Sequence, residues 1–197
     1  QHLSNVQSKK VVCTFNKRAY GFSEILPNCE SRFLDITNKE TIDKALDGIT
    51  EVIHLISLNA QDSAADPLMA REINTNGAGS LIQSCVKKSI KRFIYISTAH
   101  VYGSPLAGVI NEESIPNAIH PYSLTHLDAE KIILKMSDSA ETIPTILRLS
   151  NAVGSPLTSD TNCWMLVVND IIKQLVTTNT IKFSSHSSIK RLYFNQS

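Results

Sequence analysis

Glycine is scarce in this 197-residue chain: there are seven, and none forms a GxGxxG or GxxGxxG array. A phosphate cradle built from closely spaced backbone N–H groups therefore cannot be read from the sequence itself. The four cysteines, Cys13, Cys29, Cys85 and Cys163, include no CxxC pair and show no metal-ligand spacing, which removes the usual zinc signatures. An excess of either charge is also missing. Nineteen Lys and Arg face eighteen Asp and Glu, and a net charge of +1 leaves no footprint for nucleic acid or an anionic membrane. The tightest basic group, Lys87, Lys88, Lys91 and Arg92, reads as a solvated helix end. No apolar run approaches the length of a membrane span, and no secretion signal is visible, so a reduced, cytoplasmic setting is expected. Asn195-Gln-Ser197 fits the glycosylation acceptor pattern, a match short enough to arise by chance.

What is present is an ordinary globular composition, 42% hydrophobic and 19% charged, with room for one substantial core or one domain and the start of another. Apolar runs alternate with amphipathic stretches, the pattern of βαβ units and a parallel sheet. Strands are expected at residues 10–15 (KVVCTF), 31–35, 51–58 (EVIHLISL), 92–97 (RFIYIS) and 145–149, with shorter ones at 180–183 and 191–194. Helices are expected at 39–46, capped by Thr37 or Asn38 and stopped by Gly48, then at 67–89, 121–136 and 164–176. Residues 103–121 form a loop too long to be a simple connector. Gly77-x-Gly79 follows no strand and lies inside a helix, so it is not a phosphate cradle. A compositional break at Gly154-Ser-Pro156 is where a first unit, residues 1–156, is expected to give way to a second, begun in 157–197.

Three segments in order carry a resemblance. They are Val52-Ile-His-Leu-Ile-Ser57; Asn74-Thr-Asn-Gly77 followed by Phe93-Ile-Tyr-Ile-Ser-Thr-Ala-His-Val-Tyr-Gly103; and Pro121-Tyr122 followed by Leu147-Arg-Leu-Ser-Asn-Ala-Val-Gly154. Together they resemble the extended short-chain dehydrogenase/reductases of the NAD-dependent epimerase/dehydratase kind. That resemblance implies an α/β, Rossmann-like doubly wound parallel sheet, NAD or NADP as cofactor, a nucleotide-sugar substrate and a homodimer. It places Tyr122 as the proton-carrying catalytic residue, Thr98 at the substrate hydroxyl, and Asn74 as a residue fixing cofactor and site backbone. Asp35 and Ile36 would lie beside the adenine, Leu55, Ile56 and Ser57 along the same groove, and Asn151 towards the substrate. His54 is expected to be a core residue and His100 a loop residue near the site.

Two departures from the family pattern stand out. The first strand and its glycine-rich turn have no counterpart before residue 10. In the usual order that strand lies between those at 10–15 and 51–58, so two unpaired inner edges and a split core are expected, as of an incomplete record of a longer protein. The second is Tyr122-Ser-Leu-Thr-His126, where the resemblance implies tyrosine, three residues, then lysine. The i, i+4 spacing keeps both side chains on one helical face. Lysine, however, supplies a permanent charge that acidifies the tyrosine, and histidine near neutral pH does not. Weakened or absent turnover follows, or activity favouring acidic pH if imidazolium substitutes. A nucleotide-binding scaffold without catalysis, or a carbonyl or steroid reductase of the same superfamily, are the competing readings. Phe15-Asn-Lys-Arg18, with two cations and no acid, leans towards NADP.

Overall fold

The computed structural model describes residues 10–17, 29–103, 106, 108–138, 140–154, 163–164, 166–182 and 193–195. Every described strand runs parallel to its neighbour, as the alternation of apolar runs and helices requires. β1 (Val11–Phe15) pairs with β2 (Cys29–Phe33), and β3 (Glu51–His54), β4 (Arg92–Thr98) and β5 (Ile143–Leu149) form a second sheet in that order. A short β6 (Asn151–Val153) pairs with β7 (Tyr193–Asn195). Thus the break expected between residues 10–15 and 51–58 is present, and β1 and β3 belong to separate sheets.

The expected division of the core does not follow. One continuous apolar cluster joins Leu34 and Ile36, just beyond β2, to Ile42 and Leu46 of the next helix and to Phe93 and Ile133 on the other side. Helices make this bridge. α1 (Lys39–Ala45) is started by Asn38, whose side chain accepts from Glu40 N–H, and is followed by Gly48 at φ +71°. The chain continues through α2 (Ala60–Ala65), not anticipated from the sequence and capped by Asn59, into α3 (Pro67–Ala70). A π-wound segment, Arg71–Gly77, leads without interruption into α4 (Ala78–Lys87). Gly77 is where this helix touches Ile36: a Cβ there would stand 2.7 Å from Ile36 Cγ1. Because both lie in the core, Gly77→Ala is expected to lower the unfolding free energy by about 1–3 kcal/mol. Chemical denaturation would measure it, and an unchanged midpoint would contradict so close an approach.

α5 (Pro121–Ser137) packs beside α4 and across β4 and β5, and α6 (Val167–Thr178) follows β6. Several boundaries differ from the sequence reading. β3 stops at His54 because the chain turns out of the sheet, and Leu58 N–H is taken by the Asn74 side chain at 2.7 Å. Residues 180–182 are no strand; they fold back on the end of α6, where Lys182 N–H donates to Gln174 Oε1 and Asn179 adopts φ +51°. Phe183 and the proposed boundary at residues 155–156 lie outside the described residues.

Candidate active site

Period-two alternation sets the floor of the site. In β4, Phe93, Tyr95 and Ser97 are buried on the face that meets α5, and Thr98 is buried at the strand's carboxyl end. β3 stands in register with β4, so His54 is the direct neighbour of Tyr95, and their rings stack with centroids 5.4 Å apart. On α5 the residues at spacing four, Tyr122, His126 and Glu130, share one face and lie over that strand. Pro121 occupies the first helical turn, and the His120 ring accepts from Tyr122 N–H, which fixes where the helix begins. Carboxyl ends of parallel strands are where open α/β sheets place their ligands.

The two hydroxyls on which the chemistry depends converge. Thr98 accepts from His100 N–H at 3.2 Å. Burial pushes the Tyr122 pKa up, and the nearby Thr98 hydroxyl works against that rise. His126 does not reach towards solvent. Its Nδ1 lies 2.7 Å from the Tyr95 hydroxyl, and its ring meets Tyr122 edge to face at 4.5 Å between centroids. Burial brings the His126 pKa down to about 4, so the ring is neutral through the physiological range. The imidazolium form, on which activity favouring acidic pH would depend, is disfavoured where the side chain sits.

Asn74 is fully buried, and both ends of its amide are engaged. Oδ1 accepts from Leu58 N–H, and Nδ2 donates to Thr125 Oγ1 at 3.1 Å. Thr75 Oγ1 donates to the Thr125 carbonyl at 2.9 Å. The widened π turn lets these adjacent residues both face α5. Asn74 therefore ties the segment after β3 to the turn that carries Tyr122 and His126. Leu55 is exposed, Ile56 packs partly on the core, and Ser57 is exposed beyond the carboxyl end of β3. Asp35 closes a local turn, its Oδ1 accepting from both Thr37 N–H and Thr37 Oγ1, and these bonds hold its pKa down. The Ile36 side chain is buried against Gly77. Asn151 is half-buried in β6, on a different sheet from Thr98. His54 is a core residue as expected, yet neither of its ring nitrogens has a hydrogen-bond partner among the described residues. His100 is exposed in the turn after β4. Lys17 is exposed, and Arg18 lies outside the described residues.

Sequence reasoning passed over three residues. Tyr95 is the partner of His126. Glu130 and Arg148 form an ion pair beside it, with Arg148 Nη2 donating to Glu130 Oε2 at 2.7 Å. Ser97 Oγ donates to Glu130 Oε1 at 2.5 Å, and Arg148 Nη1 donates to the Tyr102 hydroxyl at 2.7 Å. The spacing of four along α5 was the available signal for Glu130. Among the described residues no group of His, Cys, Asp and Glu is arranged to hold a metal, and no helix is long and apolar enough to cross a membrane.

The arrangement fits the nicotinamide end of a dinucleotide on one structural observation. His126 Nε2 is a buried polar atom with no partner among the described residues, on the helix face that carries Tyr122. Comparison with known proteins shows the family and the fold. The family described as "NAD dependent epimerase/dehydratase family" matches residues 3–191. UDP-glucose 4-epimerase of Caenorhabditis elegans is 32% identical over 131 residues, covering 62% of this chain and 37% of the relative. dTDP-D-glucose 4,6-dehydratase of Dictyostelium discoideum is 31% identical over 146 residues, 68% of this chain and 30% of the relative. The chain thus spans only about a third of these relatives' length. Among solved structures, a double mutant of dTDP-glucose 4,6-dehydratase from Streptomyces venezuelae with NAD bound superposes with a TM-score of 0.73 at 19% identity. That match covers 89% of this chain and 55% of the other, and shows the Rossmann-like fold.

Proposed function

This chain belongs to the NAD dependent epimerase/dehydratase family, and from that premise we propose that it binds NAD or NADP and acts on a nucleotide-activated sugar, with Tyr122 moving the proton. A nicotinamide cofactor, when bound, takes a hydride from a carbinol carbon or returns one. The residues must then handle the hydroxyl proton. The observation that carries the reading is that the Thr98 hydroxyl, at the carboxyl end of β4, lies near enough to the Tyr122 phenol to work against the rise in its pKa that burial causes. A sugar oxygen placed between them could exchange its proton with Tyr122 while Thr98 orients it. Asn74 acts on this pair through the backbone it ties down, and Leu55, Ile56, Ser57 and the Asp35–Ile36 turn would border the nucleotide. Asn151 would stand towards the sugar.

Tyr122 with a raised pKa is a competent proton donor, while its use as a base needs positive charge nearby. Neutral His126 does not supply that charge. This favours a second reading, in which the protein binds nucleotide without turning a substrate over.

Full-length protein incubated with NAD or NADP and with UDP-glucose or dTDP-glucose separates the readings. Enzyme-bound reduced nicotinamide absorbance together with an altered sugar supports catalysis. Cofactor binding with unaltered sugar supports the second reading, and absence of dinucleotide binding removes both. His126→Lys is expected to raise cofactor affinity and rate together, since an ammonium restores both donors and charge. No change in either would break the connection drawn between His126 and Tyr122.

A further inference from the structure

Two arrangements are compatible with Tyr95 Oη and His126 Nδ1 at 2.7 Å. If Nδ1 carries the proton, it donates to the tyrosine oxygen. The phenolic O–H then has no acceptor among the described residues, and Nε2 is a bare buried lone pair. If Nε2 carries the proton, the phenol donates to Nδ1, and only one group, Nε2–H, is left without a partner. The second arrangement strands one polar group and the first strands two. Since each stranded group loses its hydration without return, the second is favoured.

Burial holds both partners uncharged: the Tyr95 pKa is pushed far up and the His126 pKa down to about 4. No proton moves between them under ordinary conditions. Stacking against His54 and a place in the middle of the three-stranded sheet hold the Tyr95 ring, so its hydroxyl is a fixed donor. The remaining N–H belongs to a side chain only 2% exposed, one helical turn beyond Tyr122.

We propose that Tyr95 is a positioning residue that locks His126 in its Nε2–H tautomer, so that this single neutral donor is presented to a ribose hydroxyl of the bound dinucleotide. The unit Tyr95–His126 thereby replaces a charged side chain with a neutral, directional one. This inference rests on the proposed cofactor site, and it assigns Tyr95 a task that no feature of the sequence marks. The consequence is specific: binding of the dinucleotide should depend on a hydroxyl that never touches it.

The test uses full-length protein with ¹⁵N-labelled histidine and the variants Tyr95→Phe, His126→Phe and the double. Without cofactor, long-range proton–nitrogen spectra of the wild type should show His126 as the Nε2–H form, with Nδ1 as an acceptor nitrogen. Tyr95→Phe should shift the population towards the other tautomer or a mixture. NADH titration followed by fluorescence should give about tenfold weaker binding for Tyr95→Phe, the effect of one hydrogen bond. His126→Phe should weaken binding at least as much, and the double no more than His126→Phe alone. An unchanged His126 tautomer in folded Tyr95→Phe, or unchanged NADH affinity, overturns the proposal. Wild-type protein that fails to bind any dinucleotide overturns the proposed function instead, while the spectra still decide whether Tyr95 sets the tautomer.

Discussion

Glu130→Ala is expected to lower the unfolding free energy by about 3–5 kcal/mol, the cost of breaking a buried ion pair by removing one member. Glu130 is 2% exposed, and its carboxylate accepts from Ser97 and from two nitrogens of Arg148. These partners come from different elements: Ser97 from β4, Arg148 from β5, and Glu130 itself from α5. Arg148 in turn reaches Tyr102 in the turn after β4, donating to its hydroxyl while its guanidinium lies 4.8 Å from the ring centre. Removing the carboxylate strands a partly buried guanidinium and the Ser97 hydroxyl together. The pair need not stabilise the fold relative to an apolar core, however, because two desolvation penalties stand against its Coulombic gain. Arg148→Met alone should therefore be costly, and Glu130→Leu with Arg148→Met should recover much of the loss. Urea denaturation of the three variants checks this. Strictly additive losses in the double variant would show that the two side chains do not act as a pair.

Glu130 also shows what the sequence could and could not reveal. Its spacing from Tyr122 and His126 along α5 puts all three on one face, and helical periodicity alone predicts that. Its partner in β5 is invisible until the strands are placed side by side. The same limit applies to Tyr95. Alternation in the strand ending at Thr98 marks Tyr95 as inward, yet only the register against β3 and the crossing of α5 bring it to His54 and His126. Thr98 and Tyr122 were legible because their order and spacing resemble a family pattern. Ile36 was placed beside a ligand by the same resemblance, and its side chain lies instead in the core. A motif fixes where the backbone runs and leaves open which atoms face outward. The family's strand order likewise anticipated the interrupted sheet but not the unbroken core, because Ile36, just before α1, meets Gly77, just before α4, a contact between residues far apart in the chain.

Acid should destabilise this protein before its carboxylates titrate. His54 and His126 are both buried, and burial lowers each pKa from 6.5 to about 4, with the mutual repulsion of the two rings adding to the shift at His54. The groups packed on them are Phe93 and Tyr95 for His54, and Tyr95 and Tyr122 for His126. None of these accepts a proton in this range, so neither ring gains a carboxylate partner to hold its charged form. Between the unfolded and folded values the unfolded chain binds more protons, so stability is full above about pH 6.5 and declines as pH falls towards 4. For two such groups the expected loss between pH 7.5 and pH 5.0 is about 4 kcal/mol. Carboxylates held low by partners, such as Glu30 at about 2, lose their contribution in a separate window at lower pH. Urea midpoints measured across pH 7.5 to 5.0 should follow this slope, and His54→Phe should remove about half of it without altering the His126 tautomer. A flat profile would require that both rings titrate in the folded state as they do in the unfolded chain, and half the slope would mean that one of them does.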